Sequence, residues 1–120
     1  HTVEFREIDG IVPFDILAEG TDPKLVTFEM DLCWITAAGK NPVDYFRKYP
    51  GRFELWHFKD MTPEKRDATM GEGVIDFKPI VEEIKLSGMK YHFVEQDDCV
   101  THTPLESARI SREYIVNNLL

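Results

Sequence analysis

The sequence is poor in sulfur, poor in basic charge and without any long apolar run. Cys33 and Cys99 are its only cysteines. Two thiols make no disulfide framework, and neither sits in the CxxC or CxxH spacing of a structural zinc site. Lys and Arg number 14 against 22 Asp and Glu, a formal charge of −8. Phosphate binding needs clustered cations, so this balance argues against a nucleic-acid partner and suits neutral or metal-bridged substrates. No apolar stretch approaches the roughly 20 residues that span a bilayer. No signal peptide is visible, and the chain opens abruptly on His1-Thr2-Val3-Glu4-Phe5 without Met. Its natural start is therefore expected upstream, and its compartment is left open.

What is present is the composition of one globular domain: 120 residues, 42% hydrophobic and 30% charged. Residues 1–5 alternate and read as the end of a short strand, with Val3 and Phe5 on one face. Asp9-Gly10 marks a turn in a hairpin or irregular excursion, and Thr21-Asp22-Pro23 predicts a short helix. "VTFEMDLCWI" reads as a strand. Asn41-Pro42 opens a helix that Pro50-Gly51 closes, and "RFELWHFKD" is the next strand. A polar loop over 61–74 carries Gly71-Glu72-Gly73. Phe77, Ile80, Val81 and Ile84 then recur at helical spacing up to Gly88. "MKYHFVEQD" is a further strand, and Thr103-Pro104 opens a final helix expected to be amphipathic on Leu105, Ala108, Ile115 and Leu119.

Strands alternating with helices imply βαβ units and a parallel sheet. Four such units make half of a (β/α)8 barrel, whose open edges and interior need covering. The expected fold is thus α/β, of the (β/α)8 TIM-barrel type, with residues 1–120 as its C-terminal half. The N-terminal half is expected upstream, or supplied by a second copy.

Reacting groups in such barrels gather at the C-terminal ends of the strands. Those ends carry Glu29, Asp31 and Trp34; then His57, Lys59 and Asp60; then Glu95, Gln96 and Asp97. An acid, an imidazole and another acid on successive strands make a mixed nitrogen and oxygen site suited to Mn, Zn, Co or Mg. Such an ion polarises a sugar carbonyl, and a nearby carboxylate moves a proton at the neighbouring carbon. The plainer alternatives stand beside this: strand-end acids are commonly helix caps or ion-pair partners, and His57 taken alone is a hydrogen-bonded core histidine.

The segments "FEMDLCWI", "GRFELWHFKDM", "GEGVIDFKPI" and "YHFVEQDD…PLESARISREYI", with "HTVEF" before them, resemble the xylose isomerase-like barrel superfamily, the sugar phosphate isomerase/epimerase group. The resemblance covers essentially the whole chain. It implies a divalent metal held by Glu, Asp, His and Glu from successive strands, with Asp31, His57 and Glu95 matching the last three and the first Glu unmatched. It further implies Glu95 as both ligand and acid/base. Trp34 falls where some relatives place a substrate-binding His, and His1 matches the second His of a strand motif. Glu72 lies in a loop resembling one at the active-site mouth. Lys59 is a candidate for holding a substrate oxygen or supporting the electrostatics. The expected activity is proton transfer on a sugar or keto-sugar. Metal-dependent dehydration of a keto-sugar or inosose is the alternative enzyme, and a silent sugar-binding module the alternative class. His92 and His102 are expected to take no part.

Overall fold

The computed structural model describes residues 1–120. Its centre is a parallel sheet of three strands, β1 (Glu29–Asp31), β2 (Leu55–Phe58) and β5 (Tyr91–Val94), in that spatial order. A second, antiparallel pair, β3 (Asp60–Met61) and β4 (Asp67–Ala68), lies in the loop beyond β2. The helices are α1 (Pro13–Glu19), α2 (Leu32–Ala37), α3 (Pro42–Lys48), α4 (Lys78–Val81), α5 (Ile84–Ser87) and α6 (Pro104–Asn118). An α/β architecture with a parallel sheet was the expectation, and it holds.

Strand parity divides the sheet between two tasks. Met30, Trp56 and Phe58 alternate onto one face and are fully or almost fully buried. They meet an aromatic core in which Trp56 stacks on Phe46 at 5.0 Å and 9°, and Phe53 stacks on Phe14 at 5.7 Å. Removing one such ring costs about 3–5 kcal/mol, through lost burial and the void left behind. The register Asp31↔His57↔Phe93 puts the odd-numbered residues on the other face, which is open, and Tyr91 and Phe93 are exposed there.

Several sequence expectations are corrected here. Thr2–Phe5 is a 3-10 helix rather than a strand, so the parallel strands number three, not four. The segment has no ladder partner and closes a local bond from Arg6 N–H to Val3 O at 3.3 Å, while Phe5 packs on Phe14 and Tyr45. The strand beginning near Val26 stops at Asp31, because the Asp31 carboxylate accepts the Trp34 N–H and starts α2. Trp34 therefore stands on a helix. The helix expected at Thr21–Val26 is only a turn, in which Asp22 accepts from Lys24 N–H. Pro13–Glu19, expected as hairpin or irregular chain, is helical with Pro13 at its first position. The Phe77–Gly88 helix is broken into α4 and α5 at Glu82 and Glu83.

The last helix buries only the second half of the face its apolar residues suggest, with Ile115 in the core and Leu119 packed against it. Leu105 is 83% exposed and Ala108 is exposed as well, whereas Ser107, Ser111 and Ile115 are buried. The hydroxyls explain it. Ser107 bonds Thr69 at 2.9 Å, and Ser111 accepts the Met70 N–H at 3.2 Å, so α6 is held to the β4 loop by polar contacts.

α1 and α3 are tied together by Tyr49, whose hydroxyl donates to Asp15 at 2.7 Å and to Glu19 at 3.1 Å. Burial pushes the Asp15 carboxyl up, but the Lys48 ammonium and the Tyr49 hydroxyl outweigh it and hold the pKa below the usual 3.8. Stability from a carboxylate of lowered pKa is present above 3.8 and is lost as pH falls through the folded value. Tyr49→Phe is accordingly expected to cost about 1–2 kcal/mol at neutral pH. Urea denaturation should show that penalty shrinking in acid; a penalty that is independent of pH would sink this account.

Candidate metal centre

The site grows out of three strand ends. Parallel register sets Asp31 of β1 beside His57 of β2, on the open face of the sheet. Glu95 follows β5 by one residue and shares that face by parity, its N–H bonding Phe58 O at 3.1 Å. The imidazole Nδ1 is the meeting point, 2.6 Å from Glu95 Oε2 and 3.5 Å from Asp31 Oδ2. One ligand atom from each of the three lies within 4.8 Å of the others, close enough to hold one metal ion. The sequence singled out this trio, and the structure brings it together.

Two details fit the trio to a cation. Asp31 uses Oδ1 to cap α2 at Trp34 N–H, 2.7 Å away, while its buried Oδ2 has no hydrogen-bond partner. A buried carboxylate oxygen without a partner is costly, and a positive ion would answer it. Burial, then the neighbouring Glu95, push the Asp31 carboxyl up to about 6. The second detail is Glu29, which sequence reasoning left without a role. Its Oε1 lies 3.1 Å from His57 Nε2. A carboxylate on the far ring nitrogen orients a histidine ligand and fixes which nitrogen keeps its hydrogen. The only signal in the sequence was the two-residue spacing from Asp31, which places both acids on one strand face.

The remaining expected residues divide. His1 and Trp34 line a cavity of about 210 Å³ together with Glu29, Asp31, His57 and Glu95. Their rings are 5.4 Å apart and tilted by 40°. A neighbouring cavity of about 220 Å³ shares His1, Glu29, Asp31 and Trp34 and adds an apolar wall from Phe5, Phe14, Leu17, Phe28 and Met30. Glu72 lines a different cleft, with Arg66 and Val100, and binds His102 at 2.9 Å. Lys59 has no exposed side-chain surface; it lies beneath Trp34, with Nζ 4.9 Å from the ring centroid, and pairs with Asp97. His92 falls on the opposite strand face, edge-on to Phe58, as its parity with Glu95 indicated.

The glycines around Glu72 have a reason that spacing alone hid. Asp60 is 1% exposed and accepts four backbone N–H bonds, from Met61, Gly71, Gly73 and Ile75, at 2.9–3.2 Å. A side chain at Gly73 would place its Cβ 2.2 Å from Asp60 Oδ1. Gly71 has φ +84 and lies under the Tyr114 ring of α6. The loop is thus wrapped around one buried carboxylate, beside the site rather than in it.

A parallel α/β sheet with acid, imidazole and acid at three strand ends is the arrangement that the resemblance to the xylose isomerase-like TIM barrels implied, and the comparisons agree on the fold. No family model matches the chain. The chain superposes on a sugar phosphate isomerase/epimerase from Parabacteroides distasonis with a TM-score of 0.81 and 26% identity, covering 96% of this chain and 42% of that one. It is 30% identical to an inosose dehydratase of Lacticaseibacillus casei and 32% identical to that of Geobacillus thermodenitrificans, each over 84% of this chain. The chain spans 41% of the length of these curated relatives. Its relatives and its fold are those of the xylose isomerase-like superfamily, as the sequence resemblance indicated.

Proposed function

We propose that this chain supplies the C-terminal, metal-holding part of a TIM-barrel enzyme that moves a proton next to the carbonyl of a neutral keto-sugar or inosose. The observation that carries the reading is the convergence of Asp31, His57 and Glu95 around an unpartnered buried oxygen. These three residues would hold a divalent ion, of the Mn, Zn, Co or Mg class that carboxylate and imidazole donors suit. When bound, the ion supplies charge stabilisation to adjacent substrate oxygens.

The chain's own residues do the rest. In this reading Glu95 is the acid/base, whose carboxylate would take a proton from the carbon beside the carbonyl and return it. Glu29 holds His57 by Nε2, leaving Nδ1 for the site. Trp34 and His1 form one wall, against which a ring can stack. Three carboxylates and no Lys or Arg line this cavity, which disfavours a phosphorylated substrate and favours a neutral one.

Proton removal is common to epimerisation and dehydration. Relatives bearing the name inosose dehydratase, at 30–32% identity, favour dehydration, and the isomerase/epimerase neighbour keeps proton return in view. The open face of the sheet and the coverage of about two fifths of each relative support a barrel completed by further chain. The first test is calorimetry with Mn²⁺ on the parent and on an Asp31→Ala, His57→Ala double variant. Near-stoichiometric binding in the parent, lost in the variant, is expected. Equal binding by both would refute the site.

A further inference from the structure

Lys59 lies where β2 runs into β3, with its side chain wholly enclosed. A buried ammonium is tolerated only where its charge is answered, so its partners define its work. Nζ donates to Asp97 Oδ2 and lies 3.7 Å from Asp67 Oδ1. Asp67, at the start of β4, also accepts the backbone N–H groups of Asp97 and Asp98, at 2.5 and 2.9 Å. Gln96, the residue before Asp97, accepts from Ser107 of α6 through Oε1. The segment 95–98 is therefore held at successive points, and Glu95, at its head, is delivered to 2.6 Å from His57 Nδ1.

We infer that Lys59, acting through Asp97 and Asp67, is a positioning residue of the candidate metal centre: it clamps the 95–98 segment so that Glu95 converges with Asp31 and His57. The inference rests on the metal-centre reading above. Lys59 lines neither cavity at the site, so it is not placed to hold a substrate oxygen there or to pass a proton to one.

The experiment turns on the sign of an effect. A cation that merely neighbours a metal site repels the metal, so Lys59→Met would then bind Mn²⁺ more tightly. A positioning cation predicts the reverse. Calorimetry on the purified protein should show Lys59→Met weakening Mn²⁺ binding by tenfold or more, with Lys59→Arg recovering part of the loss. Unchanged or tighter binding overturns the inference. Amide hydrogen exchange on the metal-free protein gives an independent reading. Asp97 and Asp98 amides should exchange at least tenfold faster in Lys59→Met, with Trp56 and Phe58 amides unchanged; equal rates overturn the clamp. Asp97 is more than half exposed, so Asp97→Asn gives a second, milder cut of the same link and should accelerate the same two amides. If the parent binds no Mn²⁺ while the exchange pattern holds, the metal-centre reading falls and the clamp on Glu95 stands.

Discussion

Asp31→Asn is expected to make the metal-free protein more stable while costing at least about a hundredfold in Mn²⁺ affinity. Loss of an outer partner alone typically costs 10–100-fold, so loss of a ligand charge should cost no less. The opposite sign of the two effects follows from the geometry. Asparagine keeps the oxygen that caps α2 and exchanges the unpartnered oxygen for an amide, which can donate to the nearby Glu95. It also removes one of two neighbouring negative charges. Because burial and Glu95 raise the Asp31 pKa from 3.8 to about 6, its favourable contribution is complete below 3.8 and is lost as pH rises through 6. Above that pH the ionised carboxylate costs the metal-free parent about 3 kcal/mol that asparagine does not. Thermal denaturation at pH 7.5 in chelator, set beside calorimetry with Mn²⁺, measures both effects. A variant that loses stability, or one that keeps its affinity, contradicts the reading of Asp31 as a strained ligand.

The second large effect concerns Asp60. Each of its oxygens accepts two backbone N–H groups: Oδ1 from Met61 and Ile75, Oδ2 from Gly71 and Gly73. Asp60→Asn turns one oxygen into an amide whose hydrogens face two donors, and no rotation of the group avoids this. Two buried bonds are lost and two N–H groups are left unsatisfied. At about 1–2 kcal/mol for each, the penalty is about 2–4 kcal/mol. The damage should be local at first. Exchange should quicken at Gly71, Gly73 and Ile75 before the amides of the parallel strands respond. A variant as stable as the parent would show that the loop does not depend on this carboxylate.

How much of this was legible in the sequence follows from the range of the interactions. Period-two alternation and the spacing of the strand segments placed Asp31, His57 and Glu95 at successive strand ends, since both are local patterns that survive folding. Asn41-Pro42 and Thr103-Pro104 marked helix starts for the same reason; each cap reaches only two or three residues. Asp31 was ambiguous because its two oxygens do different things, and the capping bond cut short a strand that β propensity would have continued. Leu105 misled because α6 is docked through serine hydroxyls to Thr69 and Met70, partners 38 and 41 residues away in the chain. Asp60 and Lys59 were invisible as organisers. The one depends on amides 11–15 residues later in sequence, and the other on Asp97, 38 residues on.

The cap that Asp31 places on α2 gives the protein a built-in optical reporter. One oxygen faces the ligand cluster and the other holds the backbone of Trp34, so a change at the first is passed directly to an indole at the cavity wall. The other tryptophan, Trp56, is sealed in the core against Phe46 and should give a constant background. Emission from Trp34 therefore offers a label-free signal for anything that enters the cleft, without a probe or a second substitution.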